Sequence, residues 1–195
     1  MKLKYINKME FKNLTENFKK NKEVLSSLDL KLIEDLALKI DETRKNQNFI
    51  FVAGNGGSSS TASHFVNDLV KATRKKDEVP FIKAISLTDN IPLVSAISND
   101  IDYADIFKFS LESLSSPGDM LIAISASGNS ENLIKAVEYS NENDIYTSAL
   151  LGFDGGRLKE MVNLSNLVNT PIGEYEMVEN MHMIICHLIS TYLSK

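Results

Sequence analysis

Side chains able to do chemistry are sparse in this sequence and fall in few places. His64 and Asp68 stand four residues apart in HFVND, a spacing that puts both on one face of a helix. The other two histidines, His182 and His187, follow Glu179 in ENMHMIICH. From Glu179 to His187 is eight residues. At about 100° per residue that is a rotation of about 80°, so both side chains project from nearly one sector of a helix. If that helix packs on the helix of His64, two imidazoles and two carboxylates make a divalent-cation site suited to zinc or a similar first-row ion. Each histidine equally suits a satisfied place in a core or an interface. His182, which faces another direction, and Cys186, which adds only a soft thiol, are read as packing residues.

Two further stretches share one chemistry. AGNGGSSS (53–60) and SASGNSEN (125–132) each follow an apolar run and precede a helical pattern. Glycines let backbone amides approach an oxyanion, serine hydroxyls add donors, and the following helix offers free N–H groups at its positive end. Such residues also serve as plain turns and helix caps, but two such loops at strand-to-helix junctions point to a bound phosphate. Neither loop has the glycine spacing of a dinucleotide fingerprint or the Lys-Ser/Thr of a P-loop, which argues against nucleotide cofactors.

The elements that must position these groups alternate along the chain. NFIFVAG, FIKAISLT, DMLIAISA, IYTSALLG and LSNLVNTP read as strands. The segments SSSTASHFVNDLVKATR, NIPLVSAISND, SENLIKAVEYSNEND and GRLKEMV between them read as helices. This alternation predicts an α/β fold, a doubly wound parallel sheet flanked by helices, with its ligand at the carboxyl ends of the strands. Ahead of it, residues 1–45 read as two amphipathic helices, with Leu28, Leu32, Leu36 and Ile40 on one face. Residues 46–195 form the α/β core of one domain spanning 1–195. The last helix, EYEMVENMHMIICHLISTYL, is apolar enough for a core or an oligomer interface. The basic run KATRKKDEVP reads as an exposed loop because acidic neighbours and a proline follow.

A net charge of −5 and a pI near 5.3 leave no broad cationic surface for nucleic acid. No apolar run reaches the roughly 18 residues of a membrane span. The single Cys186 excludes an internal disulfide, and the charged opening MKLKYINKMEFKNL does not read as a secretory leader. The expectation is a cytoplasmic protein with no nucleic-acid or membrane partner.

GNGGS followed by His64, SND at 98–100, SASGNS, GFDGG and the EN.H....H pattern together resemble the sugar isomerase (SIS) domain family, most closely its phosphoheptose isomerases, over about residues 10–193. The resemblance implies a five-stranded parallel sheet and an N-terminal helical segment that helps assemble a homotetramer with active sites between subunits. It implies a sugar phosphate as partner, bound at Asn55, Gly56, Gly57, Ser58, Asn99, Asp100, Ser125, Ala126, Ser127 and Ser130, with Asp68 and Glu179 also at the substrate. It further implies one divalent metal per subunit, usually zinc, at His64, Asp68, Glu179 and His187. The activity implied is an aldose–ketose isomerisation of sedoheptulose 7-phosphate through a metal-stabilised enediolate, for surface heptose biosynthesis, with Asp68, Glu179 and His187 exchanging protons.

This chain departs from the family pattern at several of these positions. Asp68 replaces a glutamate, Glu179 a glutamine, Ala126 a threonine, and Ala72 an arginine. Shortening a glutamate to an aspartate withdraws the carboxylate by one C–C bond, about 1.5 Å. The alternative to an isomerase is a non-catalytic SIS protein that senses a phosphosugar or binds a partner. One family branch binds the bacterial replication initiator; it resembles this sequence in TDNIPLVSAISND and MHM but lacks the second histidine, whereas His187 is present here.

Overall fold

The apolar runs expected as strands form β1 (Phe49–Gly54), β2 (Lys83–Ser86), β3 (Met120–Ser125), β4 (Tyr146–Gly152) and β5 (Leu164–Val168). A computed structural model of the chain describes residues 14–74 and 79–195. In it the strands make one parallel sheet in the order β2-β1-β3-β4-β5. A parallel sheet buries both faces, which is why the central strands read as continuous rather than alternating apolar runs. Every residue of β3 is buried, while the edge strands β2 and β5 are partly exposed.

Helices cover both faces. On one lie α2 (Leu30–Lys45), α3 (Gly57–Asn67) and α7 (Tyr175–Leu193), which close a core containing Leu36, Ile40, Phe65, Leu69, Val178 and Ile185. On the other, α4 (Ile91–Asp100), α5 (Ile106–Leu114) and α6 (Glu131–Glu142) bury Ile97, Phe107, Leu111, Leu133 and Val137. The remaining helix, α1 (Leu14–Ser26), buries none of its residues and leaves Leu14, Phe18 and Leu25 exposed. Among the described residues no helix is long and apolar enough to cross a membrane.

Several local readings shift. Asp29 caps α2, its carboxylate accepting from the Lys31 and Leu32 amides at 2.9 and 3.2 Å, so Leu28 falls before the helix. The buried stripe is Ile33, Leu36, Ala37 and Ile40 rather than one running through Leu28 and Leu32. GRLKEMV yields only a 3-10 turn, Arg157–Glu160. Helix α5 was not anticipated from the sequence. The N-terminal reading lies partly outside the described residues, as do the central residues 75–78 of the basic run.

The sheet is stapled at the end where β1 and β3 begin. Asp119 is 2% exposed, and its carboxylate accepts from the Phe49 amide at 2.8 Å, the Ser116 amide at 2.8 Å and Asn48 Nδ2 at 3.2 Å. At the opposite end the chain leaves β1 towards β2 and β3 towards β4, on opposite sides. The loops after β1 and β3 therefore diverge and open a crevice between them, the place where doubly wound sheets take ligands. Asp119→Ala leaves two part-buried backbone amides without their acceptor and should cost about 1–2 kcal/mol in urea unfolding. Asp119→Asn, which keeps an acceptor oxygen, should recover part of that. A loss below about 0.5 kcal/mol for the alanine variant would show that the staple carries no weight.

Candidate active site

Both glycine- and serine-rich loops stand where their types require. Gly54 ends β1, and Gly56, with φ +53°, caps α3. A Cβ on Gly54 would come within 2.6 Å of the Ser58 carbonyl oxygen, so the first turn of α3 closes directly over the strand end. The second loop leaves β3 at Ser125. Ser125 Oγ accepts from the Gly128 amide at 3.0 Å, and Ser127 Oγ from the Asn129 amide at 3.3 Å. Ser130 stands at the N-cap of α6, yet its hydroxyl makes no capping bond. An uncapped twelve-residue helix with a free hydroxyl at its positive end is suited to an anion.

GFDGG and the turn that follows it brace this second loop. The Leu158 amide donates to the Gly128 carbonyl at 3.0 Å, and the Arg157 amide to Asn129 Oδ1 at 3.0 Å. Gly128, at φ +64°, has no room for a Cβ because the Gly155 carbonyl lies against it.

One cleft runs between the loops, lined by Asn55, Ser58, Ser125, Ala126, Ser127, Ser130, Tyr175 and Glu179. Of the expected ligand-binding residues, Gly56 and Gly57 stand at the start of α3 between Asn55 and Ser58 and are not among the residues lining the cleft. Asn99 and Asp100 are exposed at the end of α4, where Asn99 Nδ2 donates to Asp100 Oδ1 at 2.7 Å, and they do not line this cleft. Tyr175, which sequence reasoning passed over, adds an aromatic wall. Its ring meets Phe153 edge to face at 5.0 Å. Asn132 and Tyr103 were also missed. Asn132 and Asn55 exchange two amide hydrogen bonds of 2.9 Å, and the Tyr103 hydroxyl donates to Asn55 at 2.8 Å.

Further along α3 and α7, three of the four expected metal ligands converge. His64 Nε2 and His187 Nε2 lie 3.4 Å apart, and Asp68 Oδ2 lies 3.6 Å from the first and 3.7 Å from the second. Zinc bonds nitrogen and oxygen at about 2.0–2.2 Å, which sets the edges of a tetrahedron at roughly 3.3–3.6 Å. The triangle fits that shape, and three protein ligands with a fourth position open is the pattern of a catalytic ion. Among the described residues this is the group that converges so. Asp68 reaches it from the start of a π-helical turn, Asp68–Ala72, where the backbone of the helix widens.

Glu179 does not join the triangle. Eight residues separate it from His187, about 12 Å along the axis of α7. Its carboxylate lies instead against the first residue of α3. A Cβ on Gly57 would stand 2.7 Å from either carboxylate oxygen. Glu179 therefore lines the cleft as a carboxylate at a helix N-terminus.

The chain matches the SIS domain family model over residues 15–152. It is 37% identical to a phosphoheptose isomerase of Helicobacter pylori (strain P12) over 168 residues, 86% of this chain and 85% of that protein. It superposes on the structure of a phosphoheptose isomerase from Neisseria gonorrhoeae with a TM-score of 0.82 at 26% identity, covering 92% of this chain and 95% of the other. For a phosphoheptose isomerase from Francisella tularensis the TM-score is 0.81 at 27% identity, covering 92% and 94%.

The packing readings of His182 and Cys186 hold, since they are 1% and 0% exposed. Burial, and to a lesser degree the charge of Asp68, push the Cys186 thiol up, so it stays protonated. Burial lowers His182 to about 4, with the Leu151 backbone pulling weakly the other way. Neither ring nitrogen has a hydrogen-bond partner of ordinary geometry. A histidine depressed on folding contributes stability that is complete above its unfolded value of about 6.5 and is lost as pH falls towards 4, by about 3 kcal/mol in all. Urea unfolding at fixed protein concentration should show this slope in the difference between the unmodified protein and His182→Leu. A difference independent of pH from 7 to 4 would contradict it.

Proposed function

The chain belongs to the SIS domain family, in its phosphoheptose isomerase branch, and on that premise we propose that it interconverts sedoheptulose 7-phosphate and D-glycero-D-manno-heptose 7-phosphate, supplying heptose for cell-surface polysaccharide. The observation that carries this reading is the His64–Asp68–His187 triangle, built on the same two helices that border the serine-lined cleft.

The serine loop and the uncapped N-terminus of α6 hold the phosphate, with Ser125, Ser127 and Ser130 as donors. Ser58 and Asn55 face the sugar from the other side of the cleft. Held by His64, Asp68 and His187, a zinc or similar divalent ion, one per subunit, supplies Lewis-acid polarisation of the sugar oxygens when bound. With Asp68 and His187 engaged there, Glu179 is the carboxylate left in the cleft to move a proton. It takes the proton from C1 of the ketose, leaving a cis-enediolate, and returns it to C2 while the hydroxyl proton of O1 passes to O2, giving the aldose. Gly57 lets that carboxylate sit on the first turn of α3, at the edge of the cleft.

The exposed Phe18 and Leu25 on α1 and Leu188 and Tyr192 on α7 support a homotetramer, since these apolar side chains gain from being covered by other copies.

Incubated with zinc and sedoheptulose 7-phosphate, the protein should produce an aldose whose anomeric proton appears by NMR, and a chelator should abolish the signal. His187→Ala and Asp68→Ala should each lower kcat by at least about a hundredfold, and Glu179→Gln by about 10²–10⁴. Full turnover by folded His187→Ala and Asp68→Ala proteins would refute the assignment. Light scattering should give a mass about four times the 21.7 kDa of one chain, falling in Leu188→Asp. A monomer at micromolar concentration would remove the tetramer from this reading.

A further inference from the structure

Asn55 is the first side chain after β1 that faces the cleft, and its amide is nearly used up by the protein itself. Its Oδ1 accepts from Asn132 Nδ2 at 2.9 Å and from the Tyr103 hydroxyl at 2.8 Å, filling both lone pairs. Its Nδ2 donates one hydrogen to Asn132 Oδ1 at 2.9 Å. One Nδ2 hydrogen is left. Asn55 therefore presents a donor, and no acceptor, to whatever enters the cleft.

Asn132 is buried, at 2% exposure, in the first turn of α6, so its half of the amide pair is held by the core. Tyr103 is different. It is 52% exposed and sits on a 3-10 turn, Tyr103–Asp105, that follows α4. Two contacts hold that turn in place. Asp102 caps it by accepting from the Ala104 amide at 2.7 Å, and Asp105 binds Lys135 of α6 through both oxygens at 2.9 Å. Lys135 lies one turn beyond Asn132. The turn and α6 are thus joined by an ion pair on one side and by the shared Asn55 amide on the other. A half-exposed tyrosine contributes little to the core, which leaves its hydroxyl bond to Asn55 as its distinctive contact.

We propose that Tyr103 is a positioning residue for the sugar end of the ligand: by occupying the second lone pair of Asn55, it fixes the remaining amide hydrogen towards a hydroxyl or carbonyl oxygen of the bound sugar. The phosphate end lies across the cleft on the loop after β3, where Ser125, Ser127 and Ser130 make no hydrogen bond to Tyr103. This rests on the sugar-phosphate reading of the site and deepens it by separating the residues that hold the two ends.

Tyr103→Phe removes only the hydroxyl and, at a half-exposed position, leaves the fold intact. On zinc-loaded protein it should raise KM for sedoheptulose 7-phosphate, and weaken its binding by calorimetry, by about five- to tenfold. Affinity for inorganic phosphate should stay within about twofold, and so should kcat. In an Asn55→Ala background, Tyr103→Phe should have no further effect on sugar-phosphate binding. Unchanged sugar-phosphate affinity, equal weakening of both probes, or full additivity with Asn55→Ala would each overturn the proposal. If the unmodified protein binds the sugar phosphate without turning it over, the isomerase reading falls while the binding comparison still decides the role of Tyr103. Failure to bind it at all would overturn both.

Discussion

How closely α7 can approach α3 governs everything at the site. At Gly57 the missing Cβ lets the Glu179 carboxylate rest on the first turn of α3. Two turns further on, the same contact brings the ring nitrogens of His64 and His187 to 3.4 Å, with the Asp68 carboxylate facing both. Ala62 and Phe65 on α3, Leu69 on the π-helical turn that continues it, and Val178, Met181 and Ile185 on α7 share the buried core beneath these polar groups. The apolar faces set the distance, and the polar edges inherit it.

Much of this was legible in the sequence. Strands of a buried parallel sheet announce themselves as apolar runs, and Gly-Ser clusters mark where they end. The i, i+4 relation of His64 and Asp68 depends only on helical period, so it survived intact. Contacts that cross between elements were not legible. Nothing local says that the Tyr103 hydroxyl reaches Asn55, 48 residues away, or that Asn132 pairs with Asn55 across the cleft. Glu179 and His187 both turn towards α3, but rotation about the axis says nothing of the separation along it. Helix α5 escaped notice because a short apolar segment such as IFKFSLESL carries no clear boundary. Asp68, shorter by a carbon than the glutamate expected by resemblance, still reaches both imidazoles from the start of its π-helical turn.

Two loops of similar composition also turn out to differ in electrical state. The first meets α3 at an end already facing the carboxylate of Glu179, whereas the second meets α6 at an uncapped end with the Ser130 hydroxyl unused for capping. Composition alone treats them as equivalent anion cradles. The side chain of a distant helix makes them unequal.

The Asp119 staple has a consequence for tolerance to error. It ties the first residue of β1 to the turn preceding β3, and from there the two strands run side by side, Ile50 beside Met120 through Gly54 beside Ile124. The alignment of the two ligand loops is therefore gauged from the opposite edge of the sheet. A slip of one residue there would displace one loop against the other by about 3.3 Å and turn its side chains to the wrong face. A fault at a carboxylate remote from the cleft would thus surface as a mismatch between the two halves of the cleft, with both sets of residues still present.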